Sequence, residues 1–245
     1  MISQKPNNNF YLNLDAKCLW YLTLTYAMLS LLSSWFVICS ISFQHITVNA
    51  GILICPITFL LSNFIAEVYG YKNARRAVWC GFFFNMLSIF YALFIINLPS
   101  PSYAVHNLTF NSILTTYLKS SFIFMLSYYV AEPFNIFFLA KLKLRLNGYY
   151  IKFRLAISVL FSMVISGTIF NLINYNEAFI DLKFISTAFI SVLTLLISLP
   201  FIIFLIEKVK KIETIDIYDQ NTQFNFFKFE VNYIPGNNGF NNLSL

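Results

Sequence analysis

Residues 55–76 read CPITFLLSNFIAEVYGYKNARR. The stretch is apolar enough for a membrane interior, yet it holds Asn63 and Glu67 one helical turn apart. It then meets Tyr69-Gly70-Tyr71 and the positive charges Lys72, Arg75 and Arg76. Residues four apart share a helix face. An ionisable group in hydrocarbon is costly and is a functional candidate by default. Two readings of Glu67 stand. The face it shares with Asn63 lines an inward cavity, or Glu67 snorkels to water or pairs with Arg75 or Arg76 near the helix end.

The rest of the chain has the same character. Of its 245 residues, 58% are hydrophobic and only 11% charged, against about 25% charged in soluble domains. An integral membrane protein built as one helical bundle follows. The net charge of +6 does not indicate a nucleic-acid partner. The basic residues sit in short clusters between apolar spans, as topology signals do, rather than as a patch interleaved with exposed aromatics.

A crossing takes about 20 apolar residues. Six spans are predicted, near 19–38, 48–69, 77–97, 120–142, 153–175 and 184–206. Lys and Arg alternate across the connections. The segment SISFQHITV has none, and the next holds Lys72, Arg75 and Arg76. LPSPSYAVHNLTFN again has none, then come Lys143, Arg145 and Lys152, with Lys141 and Arg154 at the span ends. NEAFIDLK carries only Lys183 beside two acids, and Lys208, Lys210 and Lys211 follow the last span. The expected fold is an all-α six-transmembrane-helix bundle with both termini and the basic loops in the cytoplasm. Residues 1–16 form a polar tail rather than a cleavable signal, 17–211 the transmembrane domain, and the Asn-rich 212–245 a flexible cytoplasmic extension.

Aromatic residues sort to the two interfaces. Trp20, Tyr69, Tyr71, Trp79 and Tyr149 fall on the inner side, and Trp35, Tyr103, Tyr117 and Tyr175 on the outer. Phe82, Phe83 and Phe84 face lipid or pack between helices. The Asn107 sequon falls in a predicted outer loop and matters only in a secretory-pathway protein. Cys18, Cys39, Cys55 and Cys80 have neither disulfide nor zinc spacing and read as small buried hydrophobes. No nucleophile–base set, metalloprotease motif or phosphate loop occurs, and His45 and His106 lie near outer loops. Neither an enzyme, nor a cofactor, nor a metal site is expected.

Polar groups inside the spans are the functional candidates. Glu132 lies halfway along the fourth span and precedes Pro133, which removes a backbone donor and kinks the helix. Tyr128, Glu132 and Asn135 share a face, as a ligand site or as an interhelical hydrogen bond. Pro56 interrupts the second span, and paired broken helices suit a transporter. Ser158, Ser162 and Ser166, and then Thr187, Ser191, Thr194 and Ser198, sit at helical spacing and read mainly as close-packing positions. Asn171 and Asn174 are better ligand candidates, because an unpaired amide in lipid is costly.

The opening stretch resembles the signature of the queuosine-precursor transporter family, also known as vitamin uptake transporters. The matching residues are Pro56, Phe59-Leu60, Glu67-Val68-Tyr69-Gly70 and Ala74-Arg75-Arg76. SYYVAEPFNIFFLAKLK at 127–143 sits where that family has a polar helix ending in a basic loop, and Arg154 and Ser158 fit its next motif. The resemblance covers most of the membrane core and stops at the tail. It departs where the family has aspartates, at positions matching Asn63, Asn135 and Ser166, all neutral here.

The resemblance implies uptake, across a bacterial inner membrane, of a 7-deazaguanine precursor for tRNA queuosine modification. Alternating access around a midplane site would be the mechanism. Its candidate binding residues are Asn63, Glu67, Tyr128, Glu132, Asn135, Arg154, Ser158 and Asn171. A purine-like ring stacks on Tyr or Phe, a carboxylate accepts from its Watson–Crick edge, and amides or hydroxyls serve its acceptors. If the precursor carries an amine, Glu132 balances that charge. The expected partners are the 7-deazapurine and the lipid bilayer, with an energising partner or homo-oligomer left open. The alternatives are transport or membrane capture of another nucleobase or vitamin, and a structural membrane protein without a substrate.

Overall fold

The computed structural model describes residues 17–43, 46–99, 101, 106–174 and 182–217. Apolar residues, with no helix breaker stronger than Pro56 and Gly70, make 50–96 one run of 47 residues, α2 (Ala50–Ile96). Drawn straight it would be about 70 Å long, over twice the ~30 Å hydrocarbon core. Gly70 breaks it. Its φ of 82° and ψ of 168° are not helical and suit a residue without a Cβ. The predicted connection at 70–76 therefore shrinks to one residue, and the chain is helical again from Tyr71. Arg75, expected in that loop, is buried, with its guanidinium 5.4 Å from the Tyr71 ring centre. Arg76 alone of the pair is exposed.

Before α2 come α1 (Lys17–Phe36) and an antiparallel hairpin of β1 (Ser40–Phe43) and β2 (Ile46–Asn49), in the register Ile41 to Val48. After it come α3 (His106–Arg145), α4 (Ile151–Asn174) and α5 (Leu182–Glu213). Four of these helices, α2 to α5, are long and apolar enough to cross a membrane. The hairpin replaces an expected loop. The start of α3 lies at His106 rather than near Ser120, which puts Asn107 in its first turn instead of in a loop. The connection at 175–181, residues 1–16 and residues 218–245 lie outside the described residues.

The middle of α2 is the centre of the bundle, with Phe59, Leu60, Ile65, Val68 and Tyr69 fully buried. α1 and α3 pack on it, α4 packs on α3, and α5 returns to α2. The perimeter carries Phe83, Phe84, Phe90, Phe94, Phe189, Phe201 and Phe204 outward, a surface suited to lipid. Phe82 instead packs edge-on against Tyr129, centroids 5.2 Å apart. Tyr117, expected at the interface, is fully buried and stacks on Trp35 at 4.0 Å. All four cysteines are free, but Cys39 is exposed and the others are only partly covered, so they are not the buried hydrophobes expected.

α1 and α2 approach closely at Gly51. A Cβ there would stand 2.2 Å from the Ser33 carbonyl oxygen and 2.8 Å from the Val37 nitrogen. The Ser33 hydroxyl donates to the Gly51 carbonyl at 2.7 Å and fixes the contact. Backbone atoms cannot step aside as a flexible side chain does, so Gly51→Ala pushes α1 off α2. The expected cost is about 1–3 kcal/mol, seen as a lower thermal midpoint of the purified protein. An unchanged midpoint would mean that the two helices do not pack this closely.

Candidate functional site

Four helices contribute to one polar cluster at the level of Pro133. α1 supplies Tyr26, α2 supplies Ser62 and Asn63, α3 supplies Tyr128, Glu132 and Asn135, and α4 supplies Ser158 and Ser162. None of these side chains is more than 1% exposed. The Asn63 amide nitrogen donates to Asn135 Oδ1 at 3.0 Å and to Ser158 Oγ at 2.8 Å. The Asn135 amide nitrogen donates to the Phe59 carbonyl at 3.0 Å, to Ser62 Oγ at 3.2 Å and to Glu132 Oε2 at 3.4 Å. Tyr128 donates to the Tyr26 hydroxyl at 3.3 Å. Three buried atoms of the cluster have no partner: Glu132 Oε1, Asn63 Oδ1 and Ser162 Oγ. Each such atom costs about 1–3 kcal/mol to leave unpaired.

A cavity of about 420 Å³ lies directly beside it, in the half of the bundle nearer the hairpin. Its walls come from α2 (Ile52, Cys55, Pro56), α3 (Phe124, Ser127), α4 (Ser166, Asn171) and α5 (Thr187, Ser191), with Asn49 at the end of β2. Tyr128 also lines it and stands one helical turn from Glu132. The volume falls within the ~300–1,000 Å³ of small-molecule sites.

The opposite end is closed by ions. Glu67 is 1% exposed and grips Arg154 bidentately, Nη1 to Oε2 at 2.9 Å and Nη2 to Oε1 at 3.1 Å. Lys210 Nζ reaches Glu67 Oε1 at 2.9 Å and Lys143 Nζ reaches it at 3.7 Å. Asp216 joins both lysines, with Lys210 at 3.1 Å. Two acids thus meet three bases. A buried carboxylate is tolerable when its pairing is this complete.

The Gly70 break places this cluster. Intrahelical amides four residues on would normally take up the carbonyls of Glu67 and Val68. Here Lys143 Nζ donates to the Glu67 carbonyl at 2.7 Å and the Ile217 amide to the Val68 carbonyl at 3.4 Å. Lys143 also donates to the Ile217 carbonyl at 2.8 Å. Residues 214–217 are a short strap folded across the break, with Ile215 buried. Glu213, where α5 ends, accepts from the Cys18 amide at 2.7 Å and from the Tyr69 hydroxyl.

The expected site residues fall into three places. Asn63, Tyr128, Glu132, Asn135 and Ser158 share the polar cluster. Glu67 and Arg154 pair with each other in the ion cluster, so Glu67 neither snorkels nor uses Arg75-Arg76. Asn171 lines the cavity, whereas the Asn174 side chain lies outside the described residues. Lys143 and Lys210, expected as loop charges, and Asp216, expected in a tail, all belong to the ion cluster. Nothing in the spacing of residues 67, 143, 154, 210 and 216 announces that meeting.

A family model described as "Putative vitamin uptake transporter" matches residues 49–205. The match spans the cavity apart from Val37, the polar cluster apart from Tyr26, and Glu67, Lys143 and Arg154, and ends before Lys210 and the strap. No curated protein and no solved structure matches the chain.

Proposed function

This chain belongs to the putative vitamin uptake transporter family, which includes the queuosine-precursor transporter, and we propose that it imports a 7-deazaguanine precursor of queuosine. The single observation behind this reading is a ligand-sized cavity walled in part by Tyr128, one helical turn from Glu132, whose Oε1 lacks a hydrogen-bond partner. The donor-rich edge of a 7-deazaguanine suits carboxylate and amide acceptors of this kind. Glu67 and Arg154, committed to each other, act as a gate rather than as ligands.

The mechanism follows from the asymmetry. With α2 divided at Gly70 into two crossings and α1 taken as another, we infer six crossings, as the hydropathy reading expects. The alternation of basic residues puts the ion cluster on the cytoplasmic side of a bacterial inner membrane. The cavity then faces outward, and the Glu67 cluster with its strap closes the inner mouth. Delivery requires that cluster to part while the outer helices close over the solute, as in alternating access.

A bacterium unable to make queuosine precursors and lacking its own importer tests this directly. Expression of this protein, with each precursor supplied at low concentration, is expected to restore queuosine in tRNA. Absence of rescue with every precursor, despite membrane expression, would remove the substrate assignment. The neutral Asn63, Asn135 and Ser166, where the family resemblance implies aspartates, favour a second reading, in which the solute is another nucleobase or a vitamin.

A further inference from the structure

Glu132 differs from Glu67 in its company. Among the described residues no Lys, Arg or His lies within ion-pair reach of it, although its side chain is 0% exposed. The titratable groups facing it are Tyr26 from α1, Cys55 from α2, and Tyr128 and Tyr129 from α3. None is a cation. α4 contributes serines at this level, and its Arg154 is held by Glu67. An isolated carboxylate in such surroundings is costly enough that its charge has to be balanced.

We propose that Glu132 is a proton-binding site that couples solute entry to proton entry. The inference rests on the transporter reading of this site and adds its energy source. A polar line passes through the residue. It starts at Tyr128 on the cavity wall, reaches Glu132, and continues through Asn135 and Asn63 to Ser158. Asn63 and Ser158 each stand one helical turn from a partner in the ion cluster, Glu67 and Arg154 respectively. The unpartnered oxygens of Glu132 and Asn63 belong to residues on this line, where water would carry a proton onward.

The balance is simple. With the cavity open outward, the carboxylate takes a proton from hydronium, leaving water and a neutral acid. That acid still presents an acceptor oxygen to the solute. When the ion cluster parts, the acid returns its proton to water on the inner side. One proton crosses per solute, with no covalent or redox change.

The full-length protein in lipid nanodiscs, without solute, provides the first measurement. Infrared difference spectra between acidic and alkaline buffer are expected to show a carboxylic-acid carbonyl band that Glu132→Gln removes and Glu132→Asp shifts. Proteoliposomes provide the second. Adding the 7-deazaguanine precursor on the cavity side is expected to make the outer medium more alkaline as solute enters, and an acid-outside gradient to speed that entry. The absence of any Glu132-dependent acid band overturns the proposal. So does solute entry without proton movement, which would assign the balancing charge to the solute itself. If no precursor enters at all, the substrate reading fails, and the infrared measurement still decides the proton site.

Discussion

Glu67→Ala is expected to strip most of the folded protein from the membrane. The substitution removes one of the two carboxylates of the cluster, and the other, Asp216, pairs with Lys143 and Lys210 while Arg154 keeps backbone carbonyls as its acceptors among the described residues. Breaking a buried pair by deleting one partner costs about 3–5 kcal/mol, a large part of the roughly 5–15 kcal/mol that typically holds a domain together. The damage would extend to the Gly70 break, because Lys143 also bonds the Glu67 carbonyl and the strap. Thermal unfolding in detergent and quantitative blotting of membranes measure it. Glu67→Gln keeps the shape and one acceptor and should fall between. Arg154→Lys keeps the charge but loses the two-pronged grip, so it should cost less than Arg154→Ala. A Glu67→Ala protein as stable and abundant as the parent would mean that desolvation of the five charges cancels their attraction, and the inner seal would need another explanation.

What the sequence revealed depended on how local the physics was. Hydropathy marked the membrane helices because burial in lipid acts residue by residue. The polar face of Tyr128, Glu132 and Asn135 was legible because three- and four-residue spacing fixes a helix face. Gly70 was visible as a breaker, but a glycine beside charged residues reads as a loop, and only the backbone angles show a one-residue interruption. The hairpin does carry a local signal. Ile41, Phe43, Ile46 and Val48 alternate with polar neighbours, the period of a strand. The ion cluster is a different case. Lys143, Lys210 and Asp216 meet Glu67 across separations that no periodicity spans. A lysine buried in an ion cluster and one that marks a cytoplasmic loop look the same in one dimension. The strap was hidden for a related reason, because Ile215 and Ile217 are too few apolar residues to stand out from a polar tail.

Glu132→Ala should do the reverse of Glu67→Ala, abolishing uptake and sparing the fold. Both residues are buried glutamates on the inward faces of neighbouring helices, so composition and exposure predict the same outcome for each. Their partners predict different ones. Among the described residues Glu132 has no cation beside it; it accepts a long hydrogen bond from Asn135 at 3.4 Å and faces the hydroxyls of Ser62, Tyr26 and Tyr128. Deleting it orphans no cation and removes an unsatisfied acceptor, while Asn135 keeps its bonds to the Phe59 carbonyl and Ser62. Stability should move by no more than the cost of a small cavity, about 1–2 kcal/mol. For transport the residue has no substitute. Loss of a hydrogen bond to the neutral acid is worth about 0.5–1.5 kcal/mol, roughly two- to ten-fold in solute affinity. Loss of proton coupling would further prevent accumulation against a gradient. Initial uptake rates and steady-state accumulation in cells, normalised to protein in the membrane, measure both. Uptake by Glu132→Ala equal to that of the parent would remove Glu132 from the site and return the cavity to a question of packing. Low uptake together with lost protein would instead make Glu132 a second structural charge like Glu67, with a partner that the hydrogen-bond geometry does not show.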